Sequence, residues 1–410
     1  MSMQRWRRCA RRRSAWMPPG RHWTYGFGRR DSMREGWREV RLGEVCTLHY
    51  GKALPAKSRV HGVVPVAGSS GAFDSHDSAN VGTAQSIVVG RKGTAGSVTW
   101  FDQAVWVTDT AYWAEAKGVE MPFLHLLLGS VDLPSYTAQT GVPGLNRERV
   151  YSIPVAIPSR PERLRIVNLI ASADDALHAA LCEENRALAM LSSLRADHFA
   201  PMLTGEQSFA SHLALIKKTI PIVSDRAYRI IGVLNRGRGL LDRGTKLGGD
   251  TSYEKLNVIE SEQLVYSRLK AFEGAVTVTP ADMESAFASA EFPAFAIGGT
   301  VSPDWLRELT RSPQLWELMA SRSKGMGGRR ERLKPDDFLS LPLTPPDLVE
   351  QHRVMETIRR VSATADAAHA TAEALRTLRS NLLTVLLSGE HEIPESYDHL
   401  LNLAEEGAAA

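Results

Sequence analysis

The chain contains one block twice. Residues 145–170, LNRERVYSIPVAIPSRPERLRIVNLI, align without a gap with residues 333–358, LKPDDFLSLPLTPPDLVEQHRVMETI, at an offset of 188. Seven of the 26 positions are identical: Leu145/Leu333, Ser152/Ser340, Pro154/Pro342, Pro158/Pro346, Glu162/Glu350, Arg165/Arg353 and Ile170/Ile358. A second block, LSSLRADHFAPMLTGE (191–206), meets LRTLRSNLLTVLLSGE (375–390) at an offset of 184 with six identities in 16. The four-residue fall in offset is about one helical turn. Each copy therefore reads as a proline-rich strap, a long helix and a Gly-Glu stop, and each follows a long stretch unlike the other. A period near 190 residues is too long for a solenoid, whose units run ~20–50 residues. The pattern predicts two globular mixed α/β domains separated and clamped by a duplicated helical element, an α+β fold with a pseudo-two-fold internal repeat.

In the second copy Val354, Ile358, Val361, Ala365, Ala368, Ala372, Leu375, Leu378 and Leu382 recur every three or four residues. That rhythm is a coiled-coil seam. The first copy carries a less regular stripe of Ile170, Leu177, Leu181, Leu188, Leu191 and Leu194. Rods of roughly 60 Å follow from ~1.5 Å per residue. Neither rod can bury its stripe alone, so antiparallel pairing of the two is expected, either as a plain structural hairpin or as a ruler between two domains. The adjacent Asp174 and Asp175 are read as solvated charges, since neighbouring helical positions point apart.

Hydrophobic content of 43% with 23% charged residues describes a globular chain rather than a disordered one. No run of about 18 apolar residues occurs, so no membrane partner is expected. Cys9, Cys46 and Cys182 are scattered and odd in number, which fits a reducing, cytoplasmic setting and no disulfide framework or zinc site. Residues 1–32 hold nine Arg and one Asp, a net of +8, leaving −5 for the remainder of a chain whose total is +3. This arm can bind polyanions nonspecifically; equally, it can lie outside the folded unit as a disordered arm, with translation starting at Met33. The body being mildly acidic, nucleic-acid binding must use local patches.

Such patches exist. Ile87-Val88-Val89 runs into Arg91-Lys92-Gly93-Thr94, and AVWVTDTAYWAEA (104–116) alternates as one half-buried strand should. In the second half, a strand leads into Arg268 and Lys270, and an offset of 177 pairs Arg91 with Arg268. A glycine-interleaved stretch, read as a loop, adds Arg236, Arg238, Arg243 and Lys246. A third adds Lys324, Arg329 and Arg330, with Arg332 and Lys334 beyond. Glycine lets backbone approach a phosphate, and arginine offers a two-pronged fork for phosphate or guanine. With Lys52, these thirteen residues (Lys52, Arg91, Lys92, Thr94, Arg236, Arg238, Arg243, Lys246, Arg268, Lys270, Lys324, Arg329 and Arg330) are the candidate DNA-binding set.

Catalytic signatures are scarce. The chain has no Walker A loop, no GxGxxG after a strand and no HExxH. The amino-methyltransferase signature is missing, its Pro-Pro pairs being Pro18-Pro19 and Pro345-Pro346 in other settings. Asp102 with Glu115-Ala116-Lys117 has a loose acid…acid-x-Lys pattern, so a stand-alone Mg²⁺-dependent nuclease is the alternative. A scaffold that does not bind DNA is a third reading. No catalytic residue, metal ligand or cofactor is otherwise assigned.

Over residues 33–393 this layout resembles the DNA-specificity subunit of type I restriction–modification systems. The resemblance rests on Gly36-Trp37-Arg38-Glu39-Val40-Arg41-Leu42-Gly43-Glu44-Val45, on IVVGRKGTAG and LVYSRLKAFEGA, on PGL at 143–145, and above all on the two straps with Glu162-Arg163 and Glu350-Gln351. It implies target recognition domain 1 (33–152), strap and spacer helix 1 (153–206), target recognition domain 2 (207–340) and strap and spacer helix 2 (341–393), flanked here by the basic arm (1–32) and a tail (394–410). It further implies a non-catalytic subunit whose domains each read half of a split site on double-stranded DNA. The antiparallel helices would set the spacing and dock two methyltransferase (modification) subunits, and a motor–nuclease (restriction) subunit would join. Arg163 departs from the family's usual Gln, and the arginine-rich arm is atypical.

Overall fold

The computed structural model describes residues 36–138, 144–323 and 332–401. They fall into two compact units, one running to Leu181 and resuming at His369, the other Cys182–Ala368. The first unit opens with β1 (Arg38–Arg41), α1 (Leu42–Val45), β2 (Cys46–Tyr50), β3 (Val64–Gly68) and β4 (Gly71–His76). Next come β5 (Ser86–Gly90), β6 (Val98–Phe101), β7 (Trp106–Val107), β8 (Ala111–Ala116) and α2 (Met121–Ser130). A short pair β9 (Thr137–Ala138) and β10 (Gly144–Leu145), α3 (Arg147–Tyr151) and β11 (Pro154–Ile157) lead into the long α4 (Arg160–Met202). The second unit adds β12 (Leu213–Ile216), β13 (Thr219–Pro221), β14 (Ala227–Val233), β15 (Leu240–Leu247), β16 (Lys255–Ile259), β17 (Gln263–Tyr266) and β18 (Val276–Val278). It closes with β19 (Ala286–Ala288), β20 (Ala294–Ile297), α5 (Pro303–Leu309), α6 (Pro313–Arg322), α7 (Pro335–Leu339) and the long α8 (Leu348–Leu387).

Sheet order shows a doubling that the two unlike segments conceal in sequence. The main sheet is β2-β8-β5-β6 in the first unit and β12-β20-β17-β18 in the second. Each unit has a second sheet in which a hairpin strand pairs in parallel with a later one, β3 with β7 and β14 with β19. Burial along the central strands explains their uninterrupted apolar runs. Ile87 and Val89 join the large core beneath α2, while Val88 faces the second sheet with Ala67, Val105 and Val107. Leu264 and Tyr266 divide from Val265 in the same way. A strand covered on both faces needs apolar residues at every position. The stretch 104–116 is therefore not one strand: it breaks at Thr108–Thr110 into β7 and β8, which belong to different sheets.

The straps repeat their key backbone contacts, with a ladder in the first where the second has a single bridge. In the first, β1 pairs with β11 and Leu42 N–H donates to Ile153 O at 2.8 Å. In the second, Phe209 N–H donates to Leu341 O at 3.0 Å and Ser208 bridges Pro342. Arg163 and Gln351 occupy one position and do one job despite the change of residue. Arg163 Nη1 donates to Pro158 O at 3.0 Å, and Gln351 Nε2 to the equivalent Pro346 O at 2.8 Å. Each also holds the start of a domain helix. Arg163 Nε donates to Glu120, which precedes α2, at 2.7 Å, and Gln351 Oε1 accepts from Ser302 N–H, which precedes α5, at 2.8 Å. The two stop glycines differ: Gly389 has φ +75, a backbone that favours glycine, whereas Gly205 is needed because a Cβ would collide with Thr344.

Within each unit the long helices pack antiparallel. The first unit sets Ile166, Ile170 and Ala171 of α4 in one core with Leu383, Leu386 and Leu387 of α8. The second sets Ala187, Leu191 and Phe199 with Met355, Ile358 and Ala365. The predicted stripes need two corrections, since Leu188 is 50% and Leu378 49% exposed. A seam of constant 3.5-residue period drifts around a straight 3.6-residue helix, so burial passes from Leu378 to Leu383 and Leu386 where α8 meets the domain core. Asp174 is also not a solvated charge: it is 8% exposed and accepts from Arg379 Nε of α8 at 2.6 Å.

In the second unit His198 of α4 accepts the indole N–H of Trp305 through Nε2 at 2.9 Å. Burial lowers the His198 pKa, with Glu350 opposing more weakly. Depression of a histidine pKa means the unfolded chain takes up protons more readily. Stability is therefore full above the unfolded value near 6.5 and declines as pH falls below it. The expected result is a melting temperature that drops between neutral and mildly acidic pH, with His198→Gln flattening that drop; an equal drop in both proteins would remove His198 as its cause.

Candidate nucleic-acid interface

In the first unit the backbone of residues 107–111 gathers three of the four predicted basic-loop residues. Lys52 N–H donates to Val107 O at 2.9 Å, while Arg91 and Lys92 N–H both donate to Thr110 O, at 2.9 and 3.0 Å. Thr94 lies exposed on the next turn, where Ser97 Oγ donates to Ser69 O at the tip of the β3–β4 hairpin. The carbonyl of Arg91 accepts Leu145 N–H at 2.8 Å, which ties this loop to the strap. Tyr112 Oη reinforces the tie by donating to Leu145 O at 3.0 Å. Two residues that the sequence reading did not single out stand in the same place: the Arg91 guanidinium lies over Tyr50 at 4.9 Å, and that of Arg147 lies over the same ring at 5.2 Å.

The second unit repeats the construction. Arg268 follows β17 as Arg91 follows β5, and its carbonyl accepts Leu333 N–H at 3.1 Å, the repeat partner of Leu145. Tyr266 Oη donates to Leu333 O at 3.0 Å. The tip of the β14–β15 hairpin reaches this loop, as the β3–β4 tip does in the first unit: Arg236 N–H donates to Glu273 O and Gly237 N–H to Gly274 O, both at 3.0 Å. Arg236 holds φ 54, a left-handed backbone uncommon for a side chain of this size. Arg238 is exposed beside it and bonds Asn235, and the Lys270 ammonium is 3.5 Å from Glu273. Arg236, Arg238, Arg268 and Lys270 thus share one end of the unit.

Arg243 and Lys246 do not join them, and the loop expected around them is a strand. Both lie on β15, an edge strand exposed from Leu241 to Leu247. Lys246 faces Tyr228 across the hairpin while Leu240 faces Val233 at the tip. Six residues at ~3.4 Å set Lys246 about 20 Å from the tip. The glycines had suggested a loop, but Gly244, with φ +74, sits where the β14–β15 register shifts. Each hairpin carries an Asp paired with an Arg: Asp74 with Arg59, which precedes β3, at 2.8 Å, and Asp242 with Arg229 of β14 at 2.9 Å. Both carboxyls are held below their ordinary range, first by a backbone N–H (Ser75 and Gly244) and then by the arginine. Lys324, Arg329 and Arg330 lie outside the described residues.

The acidic pattern considered for cleavage is spread over two strands. Asp102 follows β6 and Glu115 lies on β8, with β5 between them, and the Glu115 carboxylate is 2.8 Å from His49 Nε2. Among the described residues no group of three or more His, Cys, Asp or Glu side chains is placed to hold a metal ion. Among the same residues no helix is long and apolar enough to cross a membrane.

Comparison with known proteins agrees with this geometry. Two solved structures share the fold. The S subunit of a type I restriction-modification system from M. genitalium aligns over 86% of this chain and 96% of its own, with a TM-score of 0.55 and 11% identity. A chain solved for complex assembly and conformational transition of the type I R-M system aligns over 87% and 98%, with a TM-score of 0.56 and 14% identity. No curated protein matches the sequence. Residues 34–184, which span the sheets of the first unit, its strap and half of α4, match the family described as type I restriction modification DNA specificity domain. That segment is therefore similar to the type I restriction modification DNA specificity domain, and the fold around it is shared with the two solved structures.

Proposed function

We propose that this chain selects the DNA sequence for a type I restriction–modification assembly and contributes recognition rather than chemistry. The segments 33–152 and 207–340 each read one half of a bipartite site on double-stranded DNA. The straps and helices of 153–206 and 341–393 set the half-site spacing and dock two methyltransferase subunits, and a motor–nuclease subunit completes the assembly. One observation carries the reading: two segments unlike in sequence place an arginine loop and a hairpin tip at the same point of the same fold, each pinned to a repeated strap leucine. Equal mounts with unlike surfaces are what a reader of two unlike half-sites requires. Phosphate contacts supply affinity and base contacts supply sequence choice; Arg91, Arg268 and Lys270 head the candidates, with Lys52, Lys92, Thr94, Arg236 and Arg238 around them and Arg243 and Lys246 along the ribbon.

Exchange of 207–340 for the matching segment of another family member tests the division of labour. Mapping methylated bases in cells should show one half of the motif replaced and the other retained. A motif changed in both halves, or in neither, would refute it.

A further inference from the structure

We infer that Tyr50, Arg91 and Arg147 form a phosphodiester-binding cluster in the first unit that has no counterpart among the described residues of the second; this rests on the DNA-reading function proposed above. Tyr50 ends β2 and is 52% exposed. Arg91 arrives from the loop after β5, its Nη1 donating to Asp109 O at 3.1 Å. Arg147 opens α3 in the strap, with Nη1 3.4 Å from Leu48 O. Both guanidiniums lie over the Tyr50 ring, at 4.9 and 5.2 Å, so the two cations are within about 10 Å of each other.

Their charges are poorly balanced by the protein. Among the described residues no carboxylate forms an ion pair with Arg91, and that of Arg147 is Glu148 at 3.5 Å, whose side chain is 76% exposed. Like charges held together on an exposed aromatic ring are stabilised when an anion joins them. One strand of a duplex carries a phosphate about every 3.4 Å of helix axis, so two cations within about 10 Å can meet phosphates of one strand no more than about three steps apart. In the second unit, sheet register puts Lys217 where Tyr50 stands, and the 188-residue offset puts Pro335 where Arg147 stands. The aromatic and the strap arginine are both missing there. Arg147 lies in the duplicated block 145–170, two residues beyond the repeated Leu145, at a position the second copy does not share.

The test is binding of the full-length chain to a mixed-sequence DNA duplex over a range of salt concentrations, where phosphate contacts alone are read. Arg147→Ala should reduce the magnitude of the slope of log affinity against log salt by about 0.9. It should also weaken low-salt binding about tenfold, as expected for loss of one charge-assisted contact. Arg147→Lys should restore the slope, and Tyr50→Leu should keep it while weakening affinity a few-fold. Unchanged slope and affinity in Arg147→Ala, with wild type binding normally, would overturn the cluster alone. So would an Arg147→Lys protein that binds no better than Arg147→Ala while melting at the wild-type temperature. A wild-type chain that fails to bind the duplex would instead overturn the DNA reading beneath it.

Discussion

Removal of one heptad from the middle of each long helix should shorten the preferred gap between half-sites by roughly three base pairs. Seven residues at ~1.5 Å remove about 10 Å, and duplex DNA rises ~3.4 Å per base pair. Because α4 and α8 run antiparallel in both units, equal deletions keep facing residues in register; deletion from one helix alone would pull the partners apart. The change is qualitative, since three base pairs also turn the groove by about 100° and a reading head must find the same face again. Methylated-base mapping reads the outcome directly. A spacer of unaltered length in cells whose assembly still methylates would show that the helices do not measure distance.

Trp305→Ala should destabilise the second unit by about 3–5 kcal/mol, the range for truncating a fully buried aromatic. Trp305 lies wholly within the core, its ring 5.3 Å from that of Phe199 and its indole N–H donated to His198. Both partners belong to α4, so this side chain fastens α5, and the segment that carries it, to the long helix. The same contact is supported by the Arg195–Glu308 ion pair at 2.8 Å. Hydrogen exchange should rise across 182–368 before it rises elsewhere, and on the proposed division of labour methylation of the half-site assigned to 207–340 should fail at elevated temperature. A loss below about 1 kcal/mol would mean that the core collapses to fill the space, contrary to the close packing of such interiors.

The two copies of the strap and rod were legible because their signals are local. Prolines end strands and open helices, and apolar residues three or four apart announce one helical face. Arg163 against Gln351 was legible as a departure, but not that both side chains bond the same proline carbonyl. Asp174 was misjudged for a related reason: neighbouring positions on one helix do not reveal a facing Arg379 on another, 205 residues away.

The candidate interface divides along the same line. Arg91 and Arg268 could be paired from sequence, since an apolar run covered on both faces delivers each of them to a strand end. Arg243 and Lys246 could not be placed, because a glycine-rich hairpin and a glycine-rich loop read alike until a partner strand is present. Tyr50 and Arg147 are 97 residues apart and meet only through the pairing of β2 with β8 and the docking of the strap against that sheet. Helical period, proline stops and duplication are properties of neighbouring residues or of copied text, and so they survive in the bare chain. Strand partners and the side chains they bring together depend on contacts closed over long loops, and the folded core alone selects them.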